Sequence, residues 1–100
     1  MPTYISLIRW TQEGIGNIKE SPARLDTAKQ AYRAAGAELK AFYLVMGRYD
    51  IVTVAEAPND ETVAKLALAL GSLGKVRTET VRAFTEDEYR KIIAALSKQS

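Results

Sequence analysis

Arg48, Tyr49 and Asp50 place a fixed cation, a phenol and a carboxylate on three consecutive residues, a combination able to orient a small anionic or carbonyl ligand. The same residues have a plainer reading, in which Gly47 and Asp50 shape a turn, Tyr49 packs, and Arg48 is solvated or paired. A second set, Tyr4, Ser6, Trp10, Tyr43, Thr80 and Arg82, is expected to converge on a pocket where aromatic rings supply area and the guanidinium and hydroxyls fix orientation. It equally describes an amphipathic interface between two copies, since Tyr and Trp are favoured there anyway. Asp60-Glu61 and Glu86-Asp87-Glu88 have the chemistry to hold a hard cation, but each sits at an expected helix start, where capping accounts for it; no metal site is expected.

The chain has no Cys and no His. It therefore lacks a disulfide, a thiol nucleophile, a thiolate metal site and the commonest general base. Any catalysis must rest on Asp, Glu, Tyr, Arg, Lys, hydroxyls, the N-terminus or a borrowed cofactor, and no cofactor is expected. The net charge is only +2, and the basic residues are scattered. A nucleic-acid partner is not expected, because phosphate backbones demand a concentrated basic surface.

These residues must be positioned by a small fold. One hundred residues are expected to form a single domain, 1–100, burying roughly 65% of the unfolded surface. No run approaches the ~18 apolar residues of a membrane helix, and Met1 to Ile5 has no basic segment before an apolar one, so no membrane association and a cytoplasmic location are expected.

The organising stretch is Phe42 to Ala57. Two apolar, β-rich runs flank Gly47-Arg48-Tyr49-Asp50, which predicts a hairpin with a connection longer than two residues or with a bulge. Thr3 to Trp10 predicts the first strand. Thr11 to Glu20, with Gly14 and Gly16, predicts a long loop with a helical turn at its end. Ser21-Pro22 marks a helix start, Leu25, Ala28, Tyr32 and Ala35 its apolar stripe, and Gly36 its end. Asn59 is expected to cap a second helix with the stripe Val63, Leu66, Ala67, Leu70 and Leu73, bracketed by Gly71 and Gly74. Val76 to Phe84 alternates as a fourth strand. Thr85 and Glu88 form a capping box ahead of a third helix, whose stripe Tyr89, Ile92, Ile93 and Leu96 precedes a polar tail.

The order β-α-β-β-α-β-α predicts an α+β fold: a ferredoxin-like βαββαβ unit, with a four-stranded antiparallel sheet and an extra C-terminal helix. Ile5, Leu7, Val52, Val54, Val81 and Ala83 are expected to face the helices. The opposite face would then carry Tyr4, Ser6, Ile8, Trp10, Ile51, Thr53, Thr78, Thr80 and Arg82. It is too apolar to be left to water, which predicts a homodimer with a pocket between the sheets, the third helix extending the contact or covering a sheet edge.

Gly47-Arg48-Tyr49-Asp50-Ile51-Val52 resembles the Gly-x-Tyr-Asp signature of the GYD family. Tyr4-Ile-Ser-Leu-Ile-Arg-Trp-Thr11, the glycine-containing loop and the Ser21-Pro-x-Arg24 helix start are similar to it as well. The resemblance implies a dimeric α/β barrel and no particular activity. Similar Gly-x-x-Asp hairpins occur in the amino-acid-binding domains of feast/famine-type regulators, whose DNA-binding part has no counterpart in these residues. Pro2, if Met1 were removed, would present an amine resembling the basic N-terminal proline of the tautomerase superfamily; nothing else in the chain matches that pattern.

Three function classes follow. The first is a dimer that binds a small, partly aromatic, anionic or carbonyl molecule. The second is a cofactor-independent monooxygenase or isomerase, and the third an assembly module without ligand.

Overall fold

The computed structural model describes residues 1–97; residues 98–100, at the end of the polar tail, lie outside the described residues. Four strands, β1 (Thr3–Trp10), β2 (Glu38–Leu44), β3 (Ile51–Glu56) and β4 (Val76–Ala83), make one antiparallel sheet in the order β2-β3-β1-β4. The helices are α1 (Gln12–Gly16), α2 (Ser21–Ala34), α3 (Asp60–Ser72) and α4 (Glu86–Ser97). This is the expected ferredoxin-like α+β arrangement, with α2 and α3 on one face of the sheet.

The helix ends follow their local chemistry. The Asn59 Oδ1 accepts the Thr62 N–H at 2.9 Å. Thr85 and Glu88 close a reciprocal box, with Glu88 Oε1 accepting the Thr85 N–H at 2.8 Å and Thr85 Oγ1 accepting the Glu88 N–H at 3.2 Å. Gly36 follows α2 at φ +79, where a side chain would be strained. Ser21 differs from its expected role. A 3-10 turn over Ile18–Glu20 runs directly into α2, so Ser21 already has helical angles and its hydroxyl caps nothing.

The expected loop from Thr11 is more ordered than its two glycines imply. Thr11 Oγ1 accepts the Gly14 N–H at 3.0 Å and donates to the Gly74 carbonyl at 2.6 Å, capping α1 and tying it to the turn before β4. Gly14 is needed for proximity: a Cβ there would stand 1.9 Å from the Lys75 carbonyl oxygen.

The hairpin connection is long, as expected, with the Val45 N–H donating to the Asp50 carbonyl at 2.8 Å. The bulge lies within β2, where Leu39 opposes Ala55 and Ala41 opposes Val54, leaving Lys40 as the extra residue.

The face assignment is the main correction. Tyr4, Ala55, Tyr32, Val63 and Leu66 pack into one core cluster, so Tyr4 and its alternate neighbours point toward α2 and α3. Ser6, Ile51 and Thr53 are buried on the same side. Ile5, Leu7, Val52, Val54 and Val81 therefore occupy the open face, the reverse of the expectation. The polar residues tolerate the interior because they find partners there: Ser6 Oγ and Thr80 Oγ1 lie 2.9 Å apart across neighbouring strands, and the Tyr4 hydroxyl donates to Asp60 Oδ1. Among the described residues no buried side-chain polar atom lacks a hydrogen-bond partner.

The apolar stripe of α4, Tyr89, Ile92, Ile93 and Leu96, stays exposed. The molecule measures 55 × 31 × 18 Å. Among the described residues no helix is long and apolar enough to cross a membrane.

Candidate functional site: an apolar cleft under the helices

Between the sheet and α2 and α3 lies a cleft of about 630 Å³. This is an ordinary size for a small-molecule site. Its floor is the sheet, with Ile8 and Trp10 from β1, Ile51 and Thr53 from β3 and Thr78 from β4. Its walls are Leu25, Ala28 and Tyr32 on α2, and Leu66, Ala69, Leu70 and Leu73 on α3. Ala28 and Ala69 contribute small side chains to these walls.

Charge sits only at the rim. Lys75 Nζ meets Glu13 Oε1 at 2.8 Å, and this contact holds the Glu13 carboxyl below the usual range. Arg24 lies 3.7 Å from Glu20 and donates to the Asn17 carbonyl at 3.2 Å. The floor offers the hydroxyls of Thr53 and Thr78 but no carboxylate and no amine. Such a lining can hold an apolar body and meet one polar end at the rim; its titratable groups are the Tyr32 phenol on the wall and Glu20, Arg24 and Lys75.

The residues singled out from sequence do not converge; they fall into three places. Trp10 lines the cleft. Tyr4, Ser6, Thr80 and Arg82 belong to the far half of the sheet. There Tyr4 and Ser6 are buried, and the Arg82 guanidinium lies 4.4 Å from the Phe84 ring centroid and 5.7 Å from that of Tyr4. Burial, followed by the hydrogen bond to Asp60, pushes the Tyr4 phenol above its ordinary value. Tyr43, Arg48, Tyr49 and Asp50 sit at or beside the open face. Tyr49 donates to Glu79 Oε2 at 2.6 Å, which raises its phenol, and the Arg9 guanidinium lies 4.8 Å from its ring centroid. Asp50 accepts the Trp10 N–H at 3.0 Å and donates its own N–H to the Ile8 carbonyl at 2.9 Å.

From the sequence Ile8, Thr53 and Thr78 were expected on the pocket-facing side of the sheet, though toward a second copy, and Leu25 and Ala28 only in a helix stripe; Lys75 was not picked out. A signal was present: on the two central strands Ile8, Trp10, Ile51 and Thr53 mix apolar and hydroxyl side chains with the period of one sheet face, opposite a helix carrying alanines.

The sequence profile described as the GYD domain matches residues 4–93. The chain belongs to the GYD domain family. Over 84 residues this GYD domain is 39% identical to a Thermus thermophilus protein named glutamine synthetase and cystathionine beta-lyase binding protein, covering 83% of this chain and 88% of that one. A crystal structure of a Thermus thermophilus protein is 26% identical, with a TM-score of 0.54, over 85% of this chain and 95% of that chain. The Mycobacterium tuberculosis feast or famine regulatory protein, solved with L-methionine, gives a TM-score of 0.64 at 15% identity over 85% of this chain. This GYD domain spans about half, 51%, of that regulator, and the likeness is one of fold.

Proposed function

We propose that this GYD domain is a cytoplasmic, single-domain binding protein that takes a small, largely apolar molecule into the cleft between its sheet and α2 and α3. The observation carrying this reading is the 630 Å³ apolar hollow with Trp10 and Ile8 on its floor and charged groups confined to its rim. A partly aromatic ligand with one carboxylate or carbonyl group suits it, the ring against Trp10 and the polar end near Lys75 and Arg24. A floor without an acid or base favours binding over turnover. The pocket thus moves from between two sheets to within one chain.

The homodimer remains part of the proposal, carried by the other face. Ile5, Leu7, Val52, Val54 and Val81 form a contiguous apolar patch that a second copy would cover. Native mass spectrometry of protein purified from its own cells tests both parts. A mass of two chains plus a small molecule supports them, two bare chains count against the ligand, and one bare chain counts against both.

A second reading, docking on a partner enzyme, is favoured by the name of the 39% identical relative. Co-sedimentation with glutamine synthetase from the same cells tests it; separate boundaries for the two proteins would remove it.

A further inference from the structure

Two hydroxyls of the cleft engage nothing within the chain. Tyr32, on the α2 wall, and Thr53, on the floor, are only 7% and 4% exposed. Among the described residues no polar side-chain atom is both sealed off and unpartnered, and neither hydroxyl meets a partner there, so each opens onto the hollow that its residue lines. Other buried hydroxyls of the same sheet face are already engaged, Tyr4 with Asp60 and Ser6 with Thr80. A hydroxyl nine-tenths buried and left free is a hydrogen bond held ready in a place of low dielectric, where such a bond is strong.

Both stand far from the charged rim. Glu20 and Arg24 lie at the start of α2, and Lys75 precedes β4, its carbonyl accepting the Thr11 N–H at 3.0 Å just past Trp10. Tyr32 comes eight residues after Arg24 on the same helix, roughly 12 Å along the axis at 1.5 Å per residue. Thr53 pairs with Ser6 on β1, four residues back from Trp10, roughly 13 Å at 3.3 Å per residue. Helix wall and sheet floor thus set their free hydroxyls at a similar distance from the rim. Between the two ends the lining is apolar, with Leu25 and Ala28 on the wall and Ile8 and Ile51 on the floor.

Resting on the cleft reading above, we propose that Tyr32 and Thr53 form a second recognition point for the same ligand, which is polar at both ends. Its anionic end lies at Lys75 and Arg24, and its other end is an uncharged hydroxyl or carbonyl oxygen, received by the Tyr32 hydroxyl with that of Thr53 on the opposing floor. An anion is refused at this inner end, because a charge buried away from any cation is costly. Burial also pushes the Tyr32 phenol above its ordinary value, which keeps it protonated and able to donate. In the free chain water can satisfy both hydroxyls. A ligand oxygen that reproduces those bonds displaces the water at little loss, whereas an apolar end strands both groups. The inner end therefore discriminates between ligands of the same shape.

Two probes measured by titration calorimetry test this. One is a biphenyl with a carboxylate at one para position and a hydroxyl at the other, which spans about this length; its control is the same acid without the hydroxyl. The wild-type chain is expected to bind the hydroxylated probe about tenfold more tightly, the effect of one well-placed hydrogen bond. Tyr32→Phe keeps the ring that packs in the core, and it is expected to remove most of that preference while leaving the affinity for the control unchanged. Thr53→Val, close to isosteric, is expected to reduce the preference. Equal binding of the two probes by the wild-type chain, or a preference that survives in both variants, overturns the second recognition point and leaves the cleft reading standing. Binding of neither probe, or binding of both undiminished by Ala28→Phe, overturns the cleft reading and this inference with it.

Discussion

The Asp50 carboxylate accepts the Trp10 N–H at 3.0 Å, across a gap that the strand ladder leaves at the end of β1. Asp50 thus extends the β1–β3 pairing with its side chain as well as its backbone, and it fixes the Trp10 backbone at the floor of the cleft. In the fold it serves the turn and the ladder. We expect Asp50→Ala to cost about 1–3 kcal/mol, the penalty for stranding a partly buried donor. Asp50→Asn keeps an acceptor oxygen and should cost less. Urea denaturation of the two variants checks this, and an alanine variant with an unchanged midpoint would refute it.

The contact between α1 and the turn before β4 depends on Gly14. Gly14→Ala drives a Cβ into the Lys75 carbonyl, so backbone must move; Gly16→Ala meets nothing within 4 Å. The first should cost more than about 2 kcal/mol and the second less than about 1 kcal/mol. Thermal unfolding of the pair distinguishes this from a shared need for flexibility, which would make the two costs alike.

Filling the cleft separates binding from folding. Ala28→Phe projects a ring into a space walled by Leu25, Leu66 and Leu70, and a void of this size has room for it. Stability should change by less than about 1.5 kcal/mol while any co-purifying small mass disappears. A retained mass in the folded variant would place the ligand elsewhere. Trp10 is the single tryptophan, so its fluorescence reports the cleft directly.

Alkaline pH should destabilise the fold through its tyrosines. Burial raises the Tyr32 phenol, and burial with the Asp60 hydrogen bond raises that of Tyr4. An unfolded phenol ionises near about 10, so above that pH the unfolded state has lost protons that the folded state keeps. The stabilisation is complete below about pH 10 and declines as pH rises through the folded values. Unfolding midpoints measured across this range should fall, and Tyr4→Phe should flatten the fall; an unchanged slope in that variant would assign it to other groups.

The element order, the Asn59 cap, the Thr85–Glu88 box and Gly36 were legible because each rests on local chemistry. The face of the sheet was not. Both sides of β1 and β3 are apolar, one under helices and one toward the open side, so a period of two carries no sign. Ser6, Thr80 and Tyr4 looked outward-facing until their partners were placed, and Ser6–Thr80 or Tyr4–Asp60 contacts span 74 and 56 residues. The Lys40 bulge left no mark in the sequence for the same reason: it is a relation between strands.

α4 is capped at its start, yet its apolar side rests on little of its own chain. A twelve-residue helix is marginal in water when nothing packs against it. Its coil–helix balance is therefore coupled to whatever meets that stripe. Far-ultraviolet ellipticity becomes a gauge of company: dilution should drain signal from this one segment before the sheet begins to melt.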